Sequence, residues 1–178
     1  MVHRPHFTPG QLAEFEALGI PYVCLEADEL GIYNRLLRER TPKTCLEWGA
    51  GWSTVYFPSQ HGCIERWVAI EHDEGWVRRL QAKGLPEAVD LYHATGDDYV
   101  WAPFAYTAER AFDWIVVDGV QRGACMLAAS KLLAFGGCCL LHDTGRVECA
   151  RWFEAFDCWS VLTEGSPTGR GMTLLWND

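Results

Sequence analysis

The sequence predicts one α/β domain over residues 1–178: a three-layer sandwich around a mostly parallel, seven-stranded sheet that ends in an antiparallel hairpin. Three observations predict it. Short apolar runs alternate with helical stretches from Thr44 onward. The run Trp114-Ile115-Val116-Val117 stays apolar until Asp118, as in a strand buried on both faces. The last two apolar runs, Trp159 to Leu162 and Met172 to Trp176, flank a turn region with Gly165, Ser166, Pro167 and Gly169, and this short link favours antiparallel pairing.

Two helices fill residues 1–43 and precede the core at 44–178. Thr8 reads as an N-cap with Pro9 at the first helical position, and Leu12, Phe15 and Leu18 recur at helical spacing until Gly19. A second helix from Glu26 to Arg38 carries Leu30, Tyr33, Leu36 and Leu37 on one side and stops at Thr41-Pro42. Then come strand Thr44 to Glu47, a helix from Ser53, strand Trp67 to Ile70, helix Gly75 to Lys83, and strands Val89 to His93 and Trp114 to Asp118. Helix Ala124 to Leu133 leads through Gly136-Gly137 into strand Cys138 to Leu141, and a helix from Val147 to Phe156 precedes the hairpin.

Of the 178 residues, 49% are hydrophobic, enough for one substantial core. The net charge of −9, with no basic run longer than Arg78-Arg79, lacks the footprint that a phosphate backbone demands, so nucleic acid is not an expected partner. No apolar run is long enough to span a bilayer and the first residues lack a signal-peptide core, which makes the cytoplasm the expected location. The eight cysteines form no C-x-x-C pair and read as reduced core residues. Most of the nine tryptophans, Trp114 and Trp159 among them, read as core; Trp48, Trp52, Trp76 and Trp101 fall near the expected pocket.

Ligands of open parallel sheets bind beyond the carboxyl ends of the strands, so chemistry is sought there. The first strand ends in Glu47-Trp48-Gly49-Ala50-Gly51-Trp52-Ser53. Gly49, Ala50 and Gly51 bring backbone close to a ligand, and Ser53 is expected to cap the next helix. Glu47 would repel a dinucleotide pyrophosphate and welcome a cationic ligand. Glu71, 24 residues later, is placed to accept ribose hydroxyls, with His72 beside it. Asp97 or Asp98 can accept from an adenine amino group or cap the following helix. Asp118 ends the fourth strand, where a buried carboxylate demands a partner; Arg122 is one candidate. His142 and Asp143 end the fifth.

The series E-x-G-x-G-x-S, I-E-H-D, G-D-D, F-D-W-I-V-V-D-G and G-G-C-C-L-L-H-D, over Thr44 to Trp176, resembles the class I methyltransferases on their Rossmann-like fold. The resemblance implies S-adenosylmethionine as cofactor, held by Glu47, Gly49, Ala50, Gly51, Ser53, Glu71, His72, Asp97, Asp98 and Asp118. The V-D-G and L-H-D strand ends are similar to small O-methyltransferases, implying a hydroxyl acceptor on a small molecule or glycan and His142, Asp118 and Asp143 as catalytic residues. In metal-dependent branches these ends hold a divalent cation, implying Asp118 and Asp143 for Mg²⁺, although Thr144 stands where a third ligand belongs. Without a metal, His142 is the expected general base. The chain leaves little for a capping insertion, so a shallow acceptor site completed by a second subunit is expected. The rival readings are a nicotinamide-dependent oxidoreductase and a non-catalytic cofactor-binding module.

Overall fold

The computed structural model describes residues 6–145, 150–165 and 170–178. In chain order these form α1 (Pro9–Leu18), α2 (Ala27–Arg40), β1 (Thr44–Trp48), α3 (Trp52–Gln60), β2 (Arg66–Glu71), α4 (Glu74–Lys83), β3 (Val89–His93), α5 (Asp97–Tyr106), β4 (Phe112–Val117), α6 (Arg122–Leu132), β5 (Leu133–His142), a 3-10 helix (Ala150–Ala155), β6 (Cys158–Thr163) and β7 (Met172–Trp176).

The strands form one sheet in the order β3-β2-β1-β4-β5-β7-β6. Pairing is parallel from β3 through β5 and antiparallel for β5 with β7 and β6 with β7. The chain turns from one half of the sheet to the other between β1 and β4, the switch point at which such folds open a crevice.

Alternation along the strands divides the core in two. Cys45, Trp67, Trp114, Val116 and Leu140 face one side, packed with residues of α1, α2 and α3 such as Phe15, Leu30, Leu37 and Phe57. Leu46, Trp48, Ile70, Ile115, Val117 and Leu141 face the other, against Tyr99 of α5 and Met126 and Ala129 of α6. The period of two in the strands thus builds the three layers expected. Glu47 falls between Leu46 and Trp48, on the side of Trp67, and is buried there.

The helix starts show which local signals hold. Thr8 and Gln11 form a reciprocal capping box: the Gln11 N–H donates to Thr8 Oγ1 at 3.3 Å and the Thr8 N–H to Gln11 Oε1 at 2.8 Å. At α3 the cap is Gly51 rather than the expected Ser53, which lies inside the first turn with its hydroxyl turned to Glu47. Strand β5 begins at Leu133, five residues before the expected Cys138, because the Gly136-Gly137 segment continues the strand instead of breaking it. The expected helix from Val147 to Phe156 is a 3-10 helix over Ala150–Ala155, and its predicted start lies outside the described residues, as does most of the hairpin turn.

The described cysteines are free thiols; Cys45, Cys125, Cys138 and Cys139 are buried as expected, whereas Cys24 is exposed. Trp48 is core, its indole N–H donating to the Tyr99 carbonyl at 2.9 Å. Trp159, expected in the core, is 51% exposed because β6 is a sheet edge. No helix among the described residues is long and apolar enough to cross a membrane.

Candidate active site

A cavity of about 370 Å³ opens beyond the carboxyl ends of β1, β2, β4 and β5. It gathers most of the predicted site: Glu47, Gly49, Ala50, Gly51 and Ser53 from the first strand end, Glu71 and His72 from the second, Asp118 and His142 from the fourth and fifth. Asp143 adjoins His142 without lining the cavity. Asp97 and Asp98 do not line it either. They are exposed in the first turn of α5, whose cap is Gly96, so neither serves as the N-cap.

Gly49 has φ +98°, and a Cβ there would lie 2.6 Å from the backbone of Gly119. This backbone-to-backbone approach joins the loop after β1 to the loop after β4. Gly51 is extended at φ −156°, and a Cβ there would meet only Ser53 Oγ, at 3.7 Å.

Glu47 is 1% exposed and accepts three hydrogen bonds: Ser53 Oγ at 2.6 Å, Thr54 Oγ1 at 2.6 Å and Trp67 Nε1 at 2.9 Å. Burial pushes its carboxyl up to about 7 against the pull of those donors, and the charge of Asp118 adds to the rise. Thr54 and Trp67 escaped the sequence reading; a hydroxyl one turn into α3 and an indole on the neighbouring strand were the signals. Glu71, 2% exposed, accepts from the Asp73 N–H at 2.7 Å and lies 2.8 Å from His72 Nδ1, both through Oε1. Trp52 and Trp76 line the same part of the cavity, their rings edge to face at 5.6 Å.

The other half is an ionic network. His142 is 8% exposed, with Nδ1 3.0 Å from Asp118 Oδ1 and 3.7 Å from Asp143 Oδ1, and Nε2 3.3 Å from Glu29 Oε2. Burial alone would lower its pKa, but Asp118 and Glu29 outweigh that and hold it at about 10, so the ring is an imidazolium at neutral pH. That rise favours the imidazolium over the free base expected of His142.

Glu29, from α2, also escaped the sequence reading. It is 3% exposed and accepts from the Glu26 N–H at 2.9 Å and Thr163 Oγ1 at 3.3 Å. Burial would raise its carboxyl, but the His142, Glu26 and Thr163 hydrogen bonds and the imidazolium charge keep it below the usual range. The signal was its position, four and seven residues before Tyr33 and Leu36, on the apolar stripe of α2.

Ligand-type atoms of Asp118, His142 and Asp143 come within 4.8 Å of one another, which by spacing alone would suit a metal. The surroundings do not fit one. The Arg122 guanidinium lies 3.1 Å from Asp118 Oδ1 and 3.0 Å from Asp143 Oδ2, and the His142 nitrogen facing both carboxylates carries a proton. In this structure Asp118 and Asp143, the expected metal pair, are bridged by the Arg122 guanidinium.

No protein-family model and no curated protein sequence matches the chain. Solved structures do. The O-methyltransferase TomG of Streptomyces achromogenes, involved in tomaymycin synthesis and solved with SAM, aligns over 100% of this chain and 92% of its own at 18% identity and TM-score 0.68. A putative O-methyltransferase from Klebsiella pneumoniae gives TM-score 0.71 over the same shares, also at 18% identity. The O-methyltransferase of Bacillus cereus, solved with SAH, gives 0.68 at 16% identity over 98% of this chain and 91% of its own. The chain has the Rossmann-like methyltransferase fold.

Proposed function

We propose that the protein is an S-adenosylmethionine-dependent methyltransferase that methylates a hydroxyl oxygen of a small molecule or sugar. The observation that carries this reading is the pair of buried carboxylates, Glu47 and Glu71, flanking a glycine loop at the switch point. Among the described residues neither has a Lys or Arg partner. Such a half-site favours a ligand that is cationic at one end and offers hydroxyls at the other, and disfavours a pyrophosphate.

The cofactor, when bound, supplies an electrophilic methyl group on a sulfonium. The chain's residues do the rest. Glu71 would accept from the ribose hydroxyls, the backbone from Gly49 to Gly51 would hold the ligand, and Glu47, with Ser53 and Thr54, would balance its positive end. Asp97 or Asp98, exposed at the start of α5, would accept from the adenine amino group. The acceptor hydroxyl gives its proton to Asp118, whose Oδ1 is engaged by His142 and Arg122 and whose Oδ2 is the oxygen for that task. His142 holds Asp118 in place rather than acting as the base. Alignment of the two substrates supplies much of the rate.

Calorimetric titration with S-adenosylhomocysteine tests the reading. The wild type should bind at one site, and Glu71→Ala should weaken binding about 100-fold, as expected for two charge-assisted hydrogen bonds of ~1.5 kcal/mol each. Binding of NADH with none of S-adenosylhomocysteine would transfer the site to hydride chemistry.

A further inference from the structure

We infer that Arg122 is the resident cation of the acceptor half: its guanidinium holds the ground that a divalent metal would need, and the site works metal-free. The inference rests on the proposed function only for that last, catalytic consequence; the occupancy stands on geometry.

A guanidinium carries five N–H donors in a fixed fork. At Arg122 five oxygens meet them. Nε donates to the Gly119 carbonyl at 2.9 Å, Nη2 lies 3.2 Å from the Asp118 carbonyl and 3.1 Å from Asp118 Oδ1, and Nη1 lies 2.6 Å from the His142 carbonyl and 3.0 Å from Asp143 Oδ2. These oxygens belong to the ends of β4 and β5 and to the loop after β4. A metal would have to link the same two strand ends. The arginine already links them, through backbone carbonyls as well as carboxylates.

The placement is built into the local chain. Arg122 is the first residue of α6, after Gln121 in the left-handed region at φ 51°, and this turn brings the side chain back over Gly119. Asp143 is also left-handed, at φ 58°, an uncommon state for a residue with a Cβ, and its carboxylate reaches the guanidinium immediately after the strand ends. The guanidinium is 13% exposed, so its charge is poorly screened and its two carboxylates are held firmly.

Arg122 and the His142 ring stand among Glu29, Asp118 and Asp143. A divalent ion entering this set would displace a guanidinium that is hydrogen-bonded to Gly119, Asp118 and His142 and ion-paired with Asp143, and the set offers few oxygens that are not already engaged. Removing the guanidinium should do the reverse, leaving a space beside two carboxylates that have lost their arginine bridge, which are the ingredients of a cation site.

The test is Mn²⁺ titration of the wild type and of Arg122→Ala, followed by electron paramagnetic resonance and calorimetry. The wild type should show no site tighter than about 1 mM, the weak end of protein sites for hard cations. Arg122→Ala should gain one Mn²⁺ at least tenfold tighter, lost again when Asp143→Asn is added. A wild-type Mn²⁺ site near 0.1 mM or tighter that Asp118→Asn abolishes would overturn the inference. So would a folded Arg122→Ala protein that gains no Mn²⁺. Arg122→Met, which keeps the apolar stem, replaces the alanine variant if circular dichroism shows the latter unfolded; the wild-type arm needs no variant. S-adenosylhomocysteine binding is read in the same samples. Its failure would sink the methyltransferase reading while leaving the Mn²⁺ outcome to decide the cation.

Discussion

The two halves of the cavity solve the burial of acidic groups in opposite ways. Beyond β1 and β2, Glu47 and Glu71 are covered by neutral donors and a half-exposed histidine, and the Glu47 carboxyl is driven up to about 7 by burial. Beyond β4 and β5, Asp118, Asp143 and Glu29 are compensated by an arginine and an imidazolium from the chain itself. The first half is electrostatically unfinished, and the second is complete. A buried carboxylate without a counter-charge is costly, so its persistence marks where a positive ligand belongs; a compensated network marks a rigid frame against which an acceptor can be aligned. The presence of carboxylates does not make both halves binding sites of one kind.

The largest expected effect separates the halves. Asp118→Asn should lower methyl transfer to an acceptor found by screening by roughly 10²- to 10⁴-fold, the usual range for a positioned proton acceptor. S-adenosylhomocysteine affinity should stay within about threefold, since the chemistry sits in the compensated half. An equal fall in cofactor affinity would erase the distinction between them.

A smaller effect is expected at Glu47. Its folded pKa of about 7 lies above the unfolded value, so the stability associated with its protonated form is present below pH 4.5 and is lost as pH rises through 7. The ionised carboxylate therefore costs the ligand-free protein roughly 3 kcal/mol at pH 8. Glu47→Gln should flatten the melting temperature between pH 4.5 and 8 and raise it at pH 8, while weakening S-adenosylhomocysteine about tenfold. Wild-type affinity should improve from pH 5.5 to pH 8. A glutamine variant that is both less stable and unchanged in binding would mean that Glu47 is a structural residue only.

Much of this was legible in the sequence because strand ends carry their chemistry locally. Glu47, Glu71, Asp118 and His142 were assigned from the residue that breaks each apolar run, and all four meet in the cavity. The unbroken apolar run of β4 reported a strand buried on both faces of the sheet. What escaped depends on distance along the chain. Glu29 touches His142 across 113 positions and Thr163 across 134, and nothing in a local window announces such contacts. Arg122 was foreseen as a partner of Asp118, four residues away, but its bridge to Asp143 required the return of β5 alongside β4. The extent of helix α5 was obscured by Pro103 inside it and by an aromatic run without clear periodicity, and Trp159 was misplaced because edge position is a property of topology.

The smallest expected effect concerns the rim of the unfinished half. Asp97 and Asp98 are the first two residues of α5, both exposed, and each carries a charge favourable to the helix N-terminus. Asp97→Asn and Asp98→Asn should therefore cost similar amounts of stability, ~0.3–1 kcal/mol apiece. Only one carboxylate can face an adenine amino group from adjacent positions, since consecutive helical residues point about 100° apart. One variant alone should weaken S-adenosylhomocysteine, by about three- to tenfold for a single rim hydrogen bond. Replacing the ligand by its inosine analogue, which lacks the amino group, should cancel the difference between that variant and the wild type. If the difference persists with the inosine ligand, the residue acts through the helix terminus, and the recognition of adenine lies with the aromatic wall of Trp52 and Trp76.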